Sequence, residues 1–192
     1  MSPAVTIAFI TLLFLGPIPL WHLLLHAFLP AWRRSPLAYY LVSGALWVLF
    51  VPLAWVLAQS SPLLFEPSRA TRVLGVGASG AAFLVAAWSL VTVTPRRFFL
   101  WAVLRPDEIP AERILGGPYR FTEHPTYVAI VLATASNFVA SGSLALLGAA
   151  AAMGVLLTAV AVLEQRELNA RLGAFLPEQE LLPPALTPSR RA

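Results

Sequence analysis

Long apolar runs dominate this chain, and they decide what it can fold into. A helix that crosses a membrane needs ~20 mostly apolar residues. Five runs are candidates: about Ala4 to Leu29, Leu37 to Ala58, Val73 to Val93, Thr126 to Ala140 and Leu144 to Leu163. The fourth is short, roughly 22 Å at the helical rise. Only Ser141-Gly142-Ser143 separates it from the fifth, so the two read as a helical hairpin. Gly16-Pro17-Ile18-Pro19 sits in the middle of the first run and predicts a kink. That run has no positive n-region and no small-residue cleavage site, so it reads as a span rather than a removable signal peptide. The composition agrees: 58% of residues are hydrophobic and 11% charged, against about 25% charged in soluble domains. An ordinary soluble globule and a disordered chain are both excluded. The expected fold class is all-α, a polytopic membrane protein with five transmembrane helices in a single integral membrane domain over 1–192. Three N-terminal spans fill 1–93. A cytoplasmic loop, the hairpin and a C-terminal segment fill 94–192.

The arginines predict the topology. All thirteen basic residues are arginine. Arg33 and Arg34 follow the first run, and Arg69 and Arg72 the second. Arg96, Arg97, Arg105, Arg113 and Arg120 follow the third. None lies between the fourth and fifth, and Arg166, Arg171, Arg190 and Arg191 follow the fifth. Five crossings put eleven arginines on one side and two on the other. The positive-inside rule then places the N-terminus outside and the C-terminus in the cytoplasm. Eight of the nine acids share the arginine-rich side, Glu66 being the exception. The net charge of +4 therefore reflects loop charge and membrane lipids, not nucleic acid. Absence of lysine beside many alanines, prolines and arginines points to a GC-rich bacterial genome, and so to an inner membrane.

Several patterns carry less than their letters suggest. Gly75-Val76-Gly77-Ala78-Ser79-Gly80 matches G-x-G-x-x-G. A dinucleotide site needs that motif after a strand, at the start of a helix. Here it lies inside an apolar helical run, where small residues serve close packing. His22 and His26 stand i, i+4 near the cytoplasmic end of the first run. With His124 they could hold a metal or haem. They could equally hydrogen-bond a neighbouring helix or face headgroups, and with no cysteine in the chain no metal is expected. Trp21, Trp32 and Trp101 read as interfacial anchors. No hydrolase or phosphate-loop motif occurs.

Chemistry concentrates in two pieces. The first runs Ala111-Glu112-Arg113-Ile114-Leu115-Gly116-Gly117-Pro118-Tyr119-Arg120-Phe121-Thr122-Glu123-His124-Pro125-Thr126-Tyr127. Gly-Gly-Pro permits a tight turn. Pro125 suits the first turn of the fourth span, where its missing N–H costs nothing. Glu123 and His124 then flank a helix N-terminus, whose free donors suit a carboxylate ligand. Tyr127 shares the side of Glu123 by i, i+4 spacing. The second piece, Glu164-Gln165-Arg166-Glu167-Leu168-Asn169-Ala170-Arg171-Leu172-Gly173, closes the fifth span. An acid at a membrane edge is a functional candidate, and the hairpin should bring Glu164 near His124 and Tyr127. Alternatively, Glu167 and Arg171 form a solvated i, i+4 pair at a helix end.

These pieces resemble the isoprenylcysteine carboxyl methyltransferase and phospholipid N-methyltransferase family of integral membrane enzymes. That family carries Gly-x-Tyr, Arg-His-Pro-x-Tyr, a hairpin, Glu-Glu-x-x-Leu and Phe-Gly. The counterparts here are Gly117-Pro118-Tyr119, Glu123-His124-Pro125-Thr126-Tyr127, Glu164-Gln165-Arg166-Glu167-Leu168 and Leu172-Gly173, followed by a Pro-rich end with Leu181-Leu182-Pro183. The resemblance spans about Arg105 to Pro183. It implies a methyltransferase that binds S-adenosylmethionine between the cytoplasmic loop and the hairpin. Carried over residue by residue, the cofactor-binding set is Ala111, Glu112, Arg113, Ile114, Tyr119, His124, Pro125, Thr126, Tyr127 and Glu164. No catalytic residue is implied.

Four positions depart from the family pattern. Glu123 replaces an arginine, Gln165 a second glutamate, Val160 a substrate-facing arginine and Leu176 a tyrosine. They favour a lipophilic small molecule or a lipid amine, thiol or carboxylate, entering laterally from the bilayer, over a prenylated protein; an isoprenylcysteine-like acceptor stays among the expected substrates. Two alternatives stand beside this expectation. One is an NADPH-dependent membrane reductase of the sterol reductase type, with Arg96, Arg113 and Arg120 meeting phosphates. The other is a haem-binding or non-catalytic membrane module.

Overall fold

The computed structural model describes residues 1–180, with side chains up to Gly173. Every regular element among the described residues is helical. In order they are α1 (Pro3–Leu15), α2 (Pro17–Ala27), α3 (Leu29–Arg34), α4 (Pro36–Ser60), α5 (Arg69–Val93), α6 (Pro95–Phe98), α7 (Trp101–Leu104), a 3-10 turn (Gly117–Arg120), α8 (Pro125–Ser141) and α9 (Leu144–Glu180). Four stretches are long and apolar enough to cross a membrane: Pro3–Ala27, Pro36–Ser60, Arg69–Val93 and Leu144–Gly173. The 17-residue α8 is apolar but shorter.

The local reasons are visible at the helix ends. Ser2 and Ser68 cap α1 and α5 through their hydroxyls. Prolines begin α1, α2, α4 and α8, where the absent N–H is harmless. The break between α1 and α2 falls at Gly16, as the glycine and two prolines predict. Gly142 turns α8 into α9 in the left-handed region, φ 70°. Beyond the apolar run that closes near Leu163, α9 continues through the Glu167–Arg171 pair to Glu180. Its polar tail keeps strong helix formers, so nothing local ends it when the apolar run does. The closing Leu181-Leu182-Pro183 lies outside the described residues, as do Arg190 and Arg191.

Packing relies on small side chains. Ala8 and Leu12 of α1 meet Ala54 and Ala58 of α4 and Leu146 of α9. A second cluster joins Leu15, Ala82, Ala129, Ala133, Met153 and Leu157. Small residues let helix backbones approach where lipid removes the usual hydrophobic drive. Gly75 is the tightest point: a Cβ there would lie 2.6 Å from Ser136 O and 2.7 Å from Ala140 N of α8. The G-x-G-x-x-G letters therefore sit inside α5, and Gly75 serves helix packing; Gly77 and Gly80 face open space. Outward faces carry Leu41, Val48, Leu49, Leu84, Val91 and Val155, each at least 66% exposed. Such a surface is at home in lipid rather than water.

Contacts define two ends. At one, the α4–α5 connection lies against the α8–α9 turn: Leu64 N donates to Gly142 O at 2.8 Å and Leu144 N to Pro62 O at 3.0 Å. At the other, α2, the start of α8 and the polar half of α9 meet. Between them α8 and α9 run antiparallel, with Thr134 beside Met153 and Tyr127 beside Glu164.

Candidate functional site

At that second end lies a cavity of about 330 Å³. Its walls come from α2, the end of α5, α6, α7, the 112–115 stretch, the start of α8 and the Glu164–Arg171 part of α9. Eight of the ten expected residues line it: Glu112, Arg113, Ile114, Tyr119, His124, Thr126, Tyr127 and Glu164. Two do not. Pro125 is fully buried as the first residue of α8, its ring spent on packing. Ala111 is half-buried in the irregular strip just before the chain reaches the cavity.

Glu164 is the centre. Tyr127 donates its hydroxyl to Oε1. His22 Nδ1 lies 3.1 Å from the same oxygen and 2.8 Å from the Tyr127 hydroxyl. His26 Nε2 is 3.9 Å from Oε1 and His124 Nδ1 3.4 Å from Oε2. All three histidines of the chain thus gather on one carboxylate, from α2 and from the N-cap of α8. Oε1 is crowded, whereas His124 alone approaches Oε2, at the outer limit of a hydrogen bond, so Oε2 keeps acceptor capacity. Ring packing holds the histidines in place. His124 stacks on Tyr127 at 5.3 Å, and His22 meets Tyr127 edge-on at 5.2 Å. Among the described residues no such group is arranged to hold a metal ion; the facing nitrogens are turned to Glu164.

The mouth is a polar collar. Arg33 Nη2 reaches Glu167 at 2.6 Å, and its Nε donates to Val103 O at 3.1 Å. Arg171 donates to Ile109 O at 3.3 Å and pairs with Glu167 at 3.6 Å. Arg113 donates to Asn169 at 2.7 Å, and Arg97 pairs with Glu112 at 3.1 Å. The predicted Glu167–Arg171 pair therefore forms, and it helps strap the 105–115 segment across α9. Glu123, on the exposed rim, pairs with Arg113 at 3.6 Å; such a solvated pair is worth little by itself.

Below the collar, Gly117 takes φ 54° to open the 3-10 turn, pressed against Thr92 and Trp88 of α5. The turn delivers Tyr119 into the wall. Burial pushes the Tyr119 hydroxyl above its ordinary value, and the Glu164 charge adds to the shift.

Three buried polar atoms on cavity-lining residues have no hydrogen-bond partner among the described residues: Trp21 Nε1, His26 Nε2 and Thr126 Oγ1. Orphans of this kind are rare in finished cores and mark a place where a further partner belongs. Trp21 lies between His22, Tyr39 and Trp47 in the cavity wall. Trp21, His22 and His26 are the residues missing from the expected set. Their signal in the sequence was the i, i+4 histidine pair on an otherwise apolar run.

Comparison with family models, with curated proteins and with solved structures finds no match.

Proposed function

We propose that the chain is an integral membrane methyltransferase that uses S-adenosylmethionine and acts on a lipophilic acceptor. One observation carries the reading. Glu164, His124, Thr126 and Tyr127 from the two ends of the α8–α9 pair, together with Glu112, Arg113, Ile114 and Tyr119, line a single cavity. These are the positions that the resemblance names; the hairpin accounts for the two helix ends meeting, but not for the 112–119 stretch joining them in one cavity.

The donor set fits the cofactor's chemistry. Glu164 Oε2 has room to accept from an α-ammonium group. The first turn of α8, uncapped by any side chain, and the arginines of the collar suit a carboxylate. The stacked His124–Tyr127 pair and Tyr119 offer aromatic faces to a cation. When bound, the cofactor supplies an electrophilic methyl group on a sulfonium. The chain's own part is approximation and orientation: Glu164 anchors one end, and the collar keeps the loop closed over the cavity. The apolar wall formed by Ile18, Val93, Phe98, Leu100, Ala102 and Ile130 suits an acceptor drawn from the bilayer.

The same reading takes α1 with α2 as one crossing and adds α4, α5, α8 and α9, five in all. The short α8 fits because it packs closely against α5 and α9 instead of facing lipid all round. The collar's arginines then lie in the cytoplasm and the N-terminus outside, in a bacterial inner membrane.

Calorimetric titration of detergent-purified protein with S-adenosylhomocysteine and with NADPH tests the proposal. Saturable binding of the first alone is expected. Binding of NADPH alone would replace the proposal with a reductase, and a Soret band in the purified protein would replace it with a haem module.

A further inference from the structure

His22 belongs to no part of the motif that suggests the cofactor site, yet it is built into the site's centre. Its side chain is 9% exposed. Trp21 meets the ring edge-on at 5.1 Å and Tyr127 does so at 5.2 Å, so its orientation is set. The hydrogen positions follow from the bonds. Tyr127 gives its only proton to Glu164 and can therefore only accept from His22. His22 Nδ1 must then carry hydrogen, shared between the Tyr127 oxygen at 2.8 Å and Glu164 Oε1 at 3.1 Å. In the neutral ring this leaves the lone pair on Nε2, for which the described residues provide no hydrogen-bond partner. His22 is one of the side chains that line the cavity. A carboxylate that fixes the Nδ1–H tautomer and balances an imidazolium, with Nε2 free toward a cavity, is the arrangement of a histidine general base.

We propose that His22 is the catalytic base for the methyl acceptor, and that the acceptor is a neutral lipophilic phenol or thiol rather than a carboxylate. This rests on the methyltransferase reading. A carboxylate is already ionised and has no proton to lose, so a base beside it would have no task. A phenol or thiol must lose its proton as it reacts. The acceptor's oxygen or sulfur lone pair forms the new bond to the methyl carbon. The methyl–sulfonium bond breaks, and its electron pair stays on that sulfur as a neutral thioether. The acceptor's proton moves to His22 Nε2, where Glu164 compensates the charge, and leaves through the cavity mouth. The other titratable groups facing this centre are His26 on the same helix, Tyr127 and His124 from α8, and Tyr119 from the 3-10 turn.

The test uses full-length protein in detergent and an alkyl-substituted nitrophenol, whose phenolate has a visible absorption band. It compares wild type with His22→Asn, which keeps a donor near Nδ1 but has no basic nitrogen, and with His22→Gln. At a pH where the free phenol is protonated, wild type should bind it as the phenolate. Both variants should bind it in the neutral form. Methyl transfer to a long-chain phenol or thiol should fall about 100-fold or more in the variants. S-adenosylhomocysteine should still bind both variants, and the loss of methyl transfer should persist at saturating cofactor. Equal phenolate bands in wild type and both variants would overturn the proposal, as would faster methylation of a fatty acid than of either acceptor. Failure of S-adenosylhomocysteine to bind wild type would instead remove the cofactor reading, and the phenolate band would still judge His22. Should His22→Gln not fold, His22→Asn carries the comparison; wild-type-like circular dichroism qualifies each variant.

Discussion

Replacing Glu164 with glutamine removes one charge from the centre of the cavity while keeping its shape. The amide oxygen can still accept from Tyr127 and His22, which crowd Oε1. The amide NH2 takes the place of Oε2, where His124 Nδ1 is 3.4 Å away, and His124 can answer by presenting its other tautomer. The fold should therefore survive. On the proposed reading, what is lost is the charged acceptor for the cofactor's ammonium group, worth about 1.5–3 kcal/mol. That corresponds to a dissociation constant raised roughly 10- to 150-fold. Calorimetry with S-adenosylhomocysteine measures it, and the same titration with methylthioadenosine, which has no amino-acid part, supplies the control. Wild type and Glu164→Gln should bind methylthioadenosine alike. An unchanged affinity for S-adenosylhomocysteine would refute the assignment of Glu164 to the ammonium. An equal loss for both compounds would show that the acid acts by holding the cavity together.

Gly75→Val should lower thermal stability by about 1–3 kcal/mol through overpacking, whereas Gly77→Val should change it little, since a Cβ there meets nothing within 4 Å. Thermal unfolding in one detergent compares them. Tyr119 holds its proton more tightly when folded, so stability linked to it is complete below the ordinary tyrosine value and lost as pH rises past it. Tyr119→Phe should remove that part of the alkaline loss and delete one late-ionising phenol from an ultraviolet titration. The chain lacks cysteine, so single cysteines at Phe65 and Arg113 can be labelled in vesicles without background. An impermeant maleimide should reach position 65 from outside and position 113 only after permeabilisation; access to both from one side would break the five-crossing topology.

Much of the fold was legible because hydropathy is a long-range average. Runs of apolar residues survive local irregularity, and α4, α5 and α8 begin and end within about four residues of the boundaries that they imply. Proline and glycine marked the α1–α2 break and the α8–α9 turn. The far end of α9 was not legible, since a helix continues through a change of polarity when its residues still favour helix. In the site, the hairpin puts the start of α8 and the polar part of α9 at one end, but Tyr127 lies 15 residues before Gly142 and Glu164 22 after it, so their direct contact is set by packing rather than by spacing. The arrival of α2 does not follow from any local pattern. Which helix face turns toward which neighbour depends on tertiary packing, so His22 and His26 could be noticed but not placed. Arg33 is a similar case, its partner Glu167 lying 134 residues away.

Glu164 and the collar residues Glu167, Asn169 and Arg171 ride on one unbroken helix that also carries the apolar run from Leu144. A rod of this kind answers a thicker or thinner bilayer by tilting. Tilt at its lipid-embedded end displaces the acid and the strap together, so lipid chain length becomes a control on how firmly the cavity is closed.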